Sequence, residues 1–127
     1  MAVVSIRDYR IDISGEHKVM LNKTNLEKLP DLLDEIHDRH FWIDEITYDK
    51  NCCEWKLSFG ERKKGPFNRI LKVTGVTQFI CNDIAGTVLN SINTLLVDID
   101  NNCITLECNA PAEIKLSVRP DFEISID

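Results

Sequence analysis

Two histidines and two cysteines are the residues of this chain that could bind a metal. His37 and His40 lie three residues apart and could share one helical face, and Cys52 and Cys53 follow them in the sequence. Imidazole nitrogens and thiolates are the usual ligands of zinc. The spacing matches no known zinc finger, and adjacent strand residues point to opposite faces, so the two cysteines do not easily reach one ion. We therefore predict no metal and no cofactor, and expect helix-end histidines that interact with the helix dipole.

Hydrolytic chemistry would require a nucleophile beside a base, or two converging carboxylates. His17 is expected in a turn, and carboxylates such as Asp98 and Asp100, or Asp44 and Glu45, fall at strand ends and turns, where acids are usually solvated. The glycines never form a phosphate-binding loop of the G-x-x-x-x-G-K-[ST] type; they stand at positions 15, 60, 65, 75 and 86. We predict no catalytic residue and no enzymatic activity, since no set of reactive groups converges.

The five cysteines form an odd set without the spacing of a disulfide framework, at positions 52, 53, 81, 103 and 108. Free thiols are expected. Cys108 shares its strand parity with Ile104 and Leu106, which indicates a buried, inert thiol.

A basic cluster is the most distinct electrostatic feature of the sequence. It comprises Arg62, Lys63, Lys64, Arg69 and Lys72, a third of the 15 basic residues. Two interpretations stay open: the cluster docks an anionic partner, or it is a solvated hairpin loop. Trp42 is the second candidate binding residue, because an exposed tryptophan at a helix-to-strand junction is a natural interface anchor.

An N-terminal helix is predicted over about residues 24–38. Thr24 and Glu27 match a capping box, and Leu26, Leu29 and Leu33 follow at helical spacing. Pro30 removes an internal hydrogen bond, so the regular helix should begin there.

Alternating apolar and polar residues predict strands elsewhere in the chain. Trp55, Leu57 and Phe59 alternate with polar residues in a hairpin, and a further hairpin is expected over residues 3–21. Gly75 suggests a bulge between two segments of one parity, with Thr77 facing inward. Pro120 should end the penultimate strand and leave the tail as an edge strand. The predicted class is α+β, with a mostly antiparallel sheet of about 7–9 strands and the helix packed on it.

The composition limits the classes of function. The chain has 127 residues, 43% of them hydrophobic, so we predict one domain over residues 1–127. A net charge of −6 argues against nucleic-acid binding, which depends on basic residues. Residues 73–127 hold only Lys115 and Arg119 against eight acids, which makes this half acidic. No apolar run is long enough for a membrane span and no secretory signal is evident, so a cytoplasmic location is expected.

The order of these elements resembles small bacterial single-domain proteins of unknown function, some of them immunity proteins of polymorphic toxin systems. The resemblance covers about residues 36–118. The matching positions are Ile36-His37-Asp38, Ile43, Ile46, Tyr48, Trp55, Leu57, Phe59, Leu71 to Val76, Phe79, Ser91-Ile92, Ile104, Leu106, Ile114 and Val118. Arg39 and His40 depart from the pattern, and no functional residue carries over. The resemblance implies a cytosolic inhibitor that occludes a toxin by surface contact, without a cofactor.

The sequence therefore favours a cytosolic protein-binding module, with an immunity or accessory role. The basic cluster, the helix and the acidic C-terminal sheet face are its three candidate surfaces, and the oligomeric state stays open. Two alternatives remain: a small-ligand-binding domain with a pocket between helix and sheet, and a metal-dependent enzyme that uses His37 and His40.

Overall fold

The computed structural model describes residues 19–127, which form one short helix and eight antiparallel strands. The strands are β1 (Val19–Leu21), β2 (His40–Trp42), β3 (Thr47–Asp49), β4 (Glu54–Gly60), β5 (Arg69–Asn82), β6 (Leu89–Asp98), β7 (Cys103–Cys108) and β8 (Ala112–Ile126). Helix α1 spans Leu29–Ile36, and single 3-10 turns span Leu26–Lys28 and Ile43–Glu45. The predicted α+β class is confirmed. The first strand of the predicted N-terminal hairpin lies outside the described residues.

Six of the strands close into a ring. Hydrogen-bonded neighbours follow the order β1-β8-β5-β4-β2-β6-β7, and β7 pairs again with β8. Strand β8 pairs with both β7 and β1 because it uses different residues for each: residues 112–117 pair with β7, and residues 124–126 pair with β1. β3 lies off this path and pairs with β4. The sheet therefore curls so that one face of every long strand encloses the core.

The side chains that β4 contributes to the core are those that its alternation of apolar and polar residues predicted. Trp55, Leu57 and Phe59 are buried on β4, and their polar neighbours are not. From α1, Leu32 and Ile36 are fully buried against the sheet, and the helix packs mainly on β1 and β6. Burying this apolar stripe is what holds so short a helix, since eight residues are too few for a stable helix in water.

The predicted helix is correct in place but its capping box is not formed. The Thr24 hydroxyl donates instead to the side-chain oxygen of Asn22, and the first turn is a 3-10 turn centred on Glu27. Pro30 then occupies the first turn of α1, where no intrahelical donor is needed. Among the described residues, no helix has both the length and the apolar character needed to cross a membrane.

Strand β8 does not end at Pro120, contrary to the sequence prediction. The proline falls in an irregular stretch between the pairs Val76–Val118 and Thr74–Glu123, where it has no register partner. Its missing N–H therefore removes no ladder hydrogen bond. The tail is also no edge strand, because Ile124 pairs with β5 on one side and with β1 on the other.

Gly75 allows β5 to bend where it crosses β8. Its φ is +81°, and a Cβ there would lie 3.2 Å from the Phe122 Cα. The predicted bulge is confirmed by register shifts on both sides of Val76. The predicted inward position of Thr77 is wrong: Val76 is buried and Thr77 is exposed, because the register is irregular on both sides of Val76. Phe79 packs against the core, as predicted.

Replacing Gly75 by alanine should lower the free energy of unfolding by about 2–3 kcal/mol, since strain at positive φ adds to the close approach of a backbone atom. Gly86→Ala is the matched control. Its φ is +70°, but no atom lies within 4 Å of the added Cβ, so the expected loss is only about 1 kcal/mol. Urea unfolding followed by circular dichroism measures both, and equal losses would contradict the role of the Phe122 contact.

Candidate functional site

The loop between β4 and β5, residues 61–68, folds back tightly on the end of β4. The Gly65 amide donates to the Arg62 carbonyl at 3.0 Å, and the Gly65–Pro66 peptide is cis. A Cβ on Gly60 would lie 2.1 Å from the Pro66 carbonyl oxygen and 3.0 Å from the Phe67 ring. Glycine at position 60 therefore lets the loop pack directly on the strand.

The five basic residues predicted as one cluster divide into two groups in the structure. Arg69 shares the inward parity of β5, lies 2.9 Å from the Glu35 carboxylate of α1 and stands 5.5 Å from the centre of the Phe59 ring. Lys72 points outward, 3.9 Å from the carboxylate of Glu54. These two charges are compensated, and they lie on opposite faces of the strand.

The other three members, Arg62, Lys63 and Lys64, are exposed in the loop and form no ion pair with any described residue. Within residues 19–127 they are the members of the cluster whose charge no carboxylate compensates.

Trp42 lies beside this loop. Phe41 is fully buried, so the alternation of β2 turns Trp42 outward, where it is 36% exposed. Its ring centre is 6.4 Å from that of Phe67 in a tilted arrangement. Trp42, Arg62, Lys63, Lys64 and Phe67 together form what we call the loop surface. Phe67 was not identified from the sequence, where it reads as an isolated aromatic residue after a proline.

A cleft of about 540 Å³ opens beneath the same loop. It is lined by Arg39, Phe59, Gly60, Glu61, Arg62, Gly65, Pro66, Asn68 and Arg69. We call it the arginine cleft, because three arginines from separate segments are among its lining residues: one after α1, one in the loop and one at the start of β5. Arg39 was missed as a site residue, since its sequence neighbours give no sign of Arg62 and Arg69.

The two candidate zinc histidines do not share a helical face. Helix α1 ends at Ile36, whereas His40 begins β2. Cys53 lies in the β3–β4 turn at a φ of +55° and not in the core phase of β4. Within residues 19–127, no group of three or more histidine, cysteine or acidic residues is placed to hold a metal.

A polar cluster with catalytic residue types surrounds the end of the helix. His37 donates from Nδ1 to the Asn93 carbonyl at 2.8 Å, and its Nε2 lies 3.4 Å from Asp38 Oδ2. The Asn109 amide donates to Asp38 Oδ1 at 3.0 Å and to Ser91 Oγ at 2.8 Å. The serine is thus bound by an amide and not by the histidine, and the cluster ties the helix exit to β6 and to the β7–β8 turn.

All five cysteines are free thiols, as predicted. Burial raises the pKa of the Cys108 thiol to about 12, with smaller contributions from Cys81 and Asp83. Cys52 is exposed, and its pKa is raised chiefly by a hydrogen bond to the Asp49 carboxylate. Among the described residues, no cation lowers the pKa of either thiol, whereas activation as a nucleophile requires a lowered pKa.

The acidic face lies on the outer side of β5, β8, β7 and β6. Glu107 and Glu113 stand directly opposite each other, an arrangement that destabilises a sheet unless a cation is near. Lys115 supplies that cation at 3.5 Å from Glu113. Ile80 and Leu96 are half exposed at the two sides of this face.

Comparisons with known proteins give one partial match. A curated protein named GTPase Der, from Fusobacterium nucleatum subsp. nucleatum, is 30% identical over 100 residues, which cover 79% of this chain and 21% of that protein. The chain thus spans about a fifth of the length of the relative it matches. No family model matches the chain, and no solved structure matches it.

Proposed function

We propose that this chain is a protein-binding module whose loop surface docks an acidic partner protein. The observation that carries the proposal is the position of Trp42, which is 36% exposed and next to Phe67 of a loop whose three cations have no carboxylate partner in residues 19–127. Tryptophan and arginine are the residues that most often dominate binding energy at protein interfaces. Trp42 and Phe67 supply apolar area, and the loop cations supply attraction.

The charge of the whole chain supports this choice of surface. At a net charge of −6, most of the protein repels an acidic partner. The loop surface is then the region that attracts it, so the electrostatic field orients the encounter as well as accelerating it. The acidic face offers the opposite complementarity, for a basic partner, but it presents no aromatic anchor.

The role that fits such a module best is that of a cytosolic inhibitor that covers another protein by surface contact. The resemblance to immunity proteins of polymorphic toxin systems favours this role, and an accessory subunit would use the same kind of surface. Neither role requires a cofactor.

We do not extend GTP hydrolysis to this chain. Gly60 and Gly65 have the glycine spacing of a phosphate-binding loop, but Pro66 and Phe67 follow where that motif has Lys and Ser or Thr. The segment also joins two antiparallel strands, whereas the motif joins a strand to a helix.

The test is co-expression with the products of adjacent genes, followed by purification of the complex. A near-stoichiometric partner should bind wild type, and Trp42→Ala should weaken binding by about tenfold or more, mainly through faster dissociation. The double variant Lys63→Glu/Lys64→Glu should slow association and remove most of its salt dependence.

Glu107→Lys on the acidic face is the matched control and should leave affinity within about twofold, since it lies outside the loop surface. Loss of binding in this control alone would transfer the function to the acidic face. Failure to recover any stoichiometric complex, or a complex insensitive to the loop variants, would contradict the proposal.

A further inference from the structure

The arginine cleft has the chemistry of a binding site for an organic phosphate. Arg39, Arg62 and Arg69 are among its lining residues, and a guanidinium presents a planar fork of donors that matches phosphate oxygens. We propose that the cleft binds a phosphate monoester, with the phosphate held by Arg39 and Arg62 and the organic group placed against Pro66.

The three arginines are not equivalent. Arg69 is neutralised by Glu35 at 2.9 Å and fixed over the Phe59 ring. Arg39 and Arg62 have no carboxylate partner among the described residues. Two arginines without a carboxylate partner in residues 19–127 therefore line the cleft, together with the exposed Glu61. A phosphate monoester carries about −1.5 to −2 charges at neutral pH, which matches two guanidinium groups better than a single carboxylate does.

The backbone holds the cleft in place. The Arg39 amide donates to the Ile36 carbonyl at 3.0 Å, and the Arg39 carbonyl accepts from the Ile92 amide at 3.0 Å, so its main chain is fixed on both sides. Arg69 pairs directly with Phe59 in the β4–β5 ladder. The main chain at Arg39 and Arg69 is therefore fixed before a ligand binds, which limits the ordering cost to the arginine side chains.

The size of the cleft favours more than a bare phosphate ion. Its volume of about 540 Å³ lies within the range of small-molecule sites. The exposed Pro66 supplies apolar lining for an organic group.

This inference does not rest on the proposed protein docking. Arg39 and Arg69 lie outside the loop surface, and Trp42, Lys63 and Lys64 do not line the arginine cleft. The two proposals share only Arg62, so Arg39 variants test the cleft alone and Trp42 variants test docking alone.

The experiment is calorimetric titration of the full chain with phenyl phosphate, inorganic phosphate and benzoate at neutral pH and low salt. Phenyl phosphate should bind at one saturable site, and the other two anions should bind about tenfold more weakly or worse. Arg39→Ala should weaken phenyl phosphate binding by about tenfold, and Arg39→Lys, which keeps the charge but loses the fork, by an intermediate factor. Amide NMR signals of Gly60 and Gly65 should shift during the titration.

Lys115→Ala, on the outer face of β8, is the control and should bind phenyl phosphate within about twofold of wild type. Benzoate binding as tightly as phenyl phosphate would overturn the choice of ligand. Absence of saturable binding, or Arg39→Ala binding like wild type in a protein with a native circular dichroism spectrum, would overturn the site.

Discussion

Trp55→Ala should lower the free energy of unfolding by about 3–5 kcal/mol, the largest loss expected from any single truncation of the described core. Trp55 is 1% exposed, and its ring meets Phe79 edge-on with ring centres 6.1 Å apart. Phe79 in turn meets Tyr48 edge-on at 6.2 Å, and the Tyr48 hydroxyl donates to the Val76 carbonyl at 3.0 Å. Removing the indole therefore takes the most buried ring out of an aromatic cluster that joins β3, β4 and β5.

Trp55→Phe separates the volume of this side chain from its polarity. The indole Nε1 is buried and has no hydrogen-bond acceptor among the described residues. A buried, unsatisfied donor costs about 1–3 kcal/mol, and phenylalanine removes that cost while it keeps most of the ring. We expect Trp55→Phe to lie within about 1.5 kcal/mol of wild type.

The other tryptophan is the control. Trp42→Ala should cost only about 1 kcal/mol, because the ring is 36% exposed. Guanidinium unfolding should be followed by far-ultraviolet circular dichroism, since the substitutions alter the fluorescence itself. If Trp55→Ala and Trp55→Phe lower the free energy of unfolding equally, the indole N–H has a hydrogen-bond partner. A decrease below about 1 kcal/mol for Trp55→Ala would contradict the burial of Trp55 in the core.

The strands could be predicted because the ring buries one face of each. Along β4 and β7 the buried side chains alternate without interruption, so the period of two survives in the sequence. The alternation fails where the ladder becomes irregular. At Gly75 the register shift reverses the parity of Val76 and Thr77, and at Pro120 an interruption of the ladder lets a proline remain inside a strand.

The candidate site was only partly predictable, for a different physical reason. A run of like charges in sequence suggests a single patch, but strand parity sends Arg69 inward and Lys72 outward. That part of the signal was available, because Arg69 shares its parity with the core residues Leu71 and Val73. Nothing in the sequence indicates that Arg39 lines the same cleft as Arg62 and Arg69, since this depends on how the ring of strands closes and on where β2 begins after the helix.

Cys108 should resist alkylation far more strongly than the exposed cysteines of the same chain. Only the thiolate reacts, and a pKa of about 12 in place of the ordinary 9.0 leaves about a thousandth of the usual thiolate near neutral pH. Site-resolved mass spectrometry after iodoacetamide treatment at pH 8 should find Cys52 modified and Cys108 unmodified. In denaturant the two should react at similar rates, which controls for their intrinsic chemistry.

The same thiol makes the fold sensitive to alkali. The folded state holds the Cys108 proton more tightly than the unfolded state, whose thiol ionises near the ordinary value of 9.0. The stabilisation is therefore complete below about pH 9 and is lost progressively as the pH rises toward 12. Cys108→Ala should show a shallower loss of stability over this interval. Rapid alkylation of Cys108 in the native protein at pH 8, or an unchanged alkaline slope in the variant, would show that its environment is not apolar, and would reopen the thiol as a candidate nucleophile.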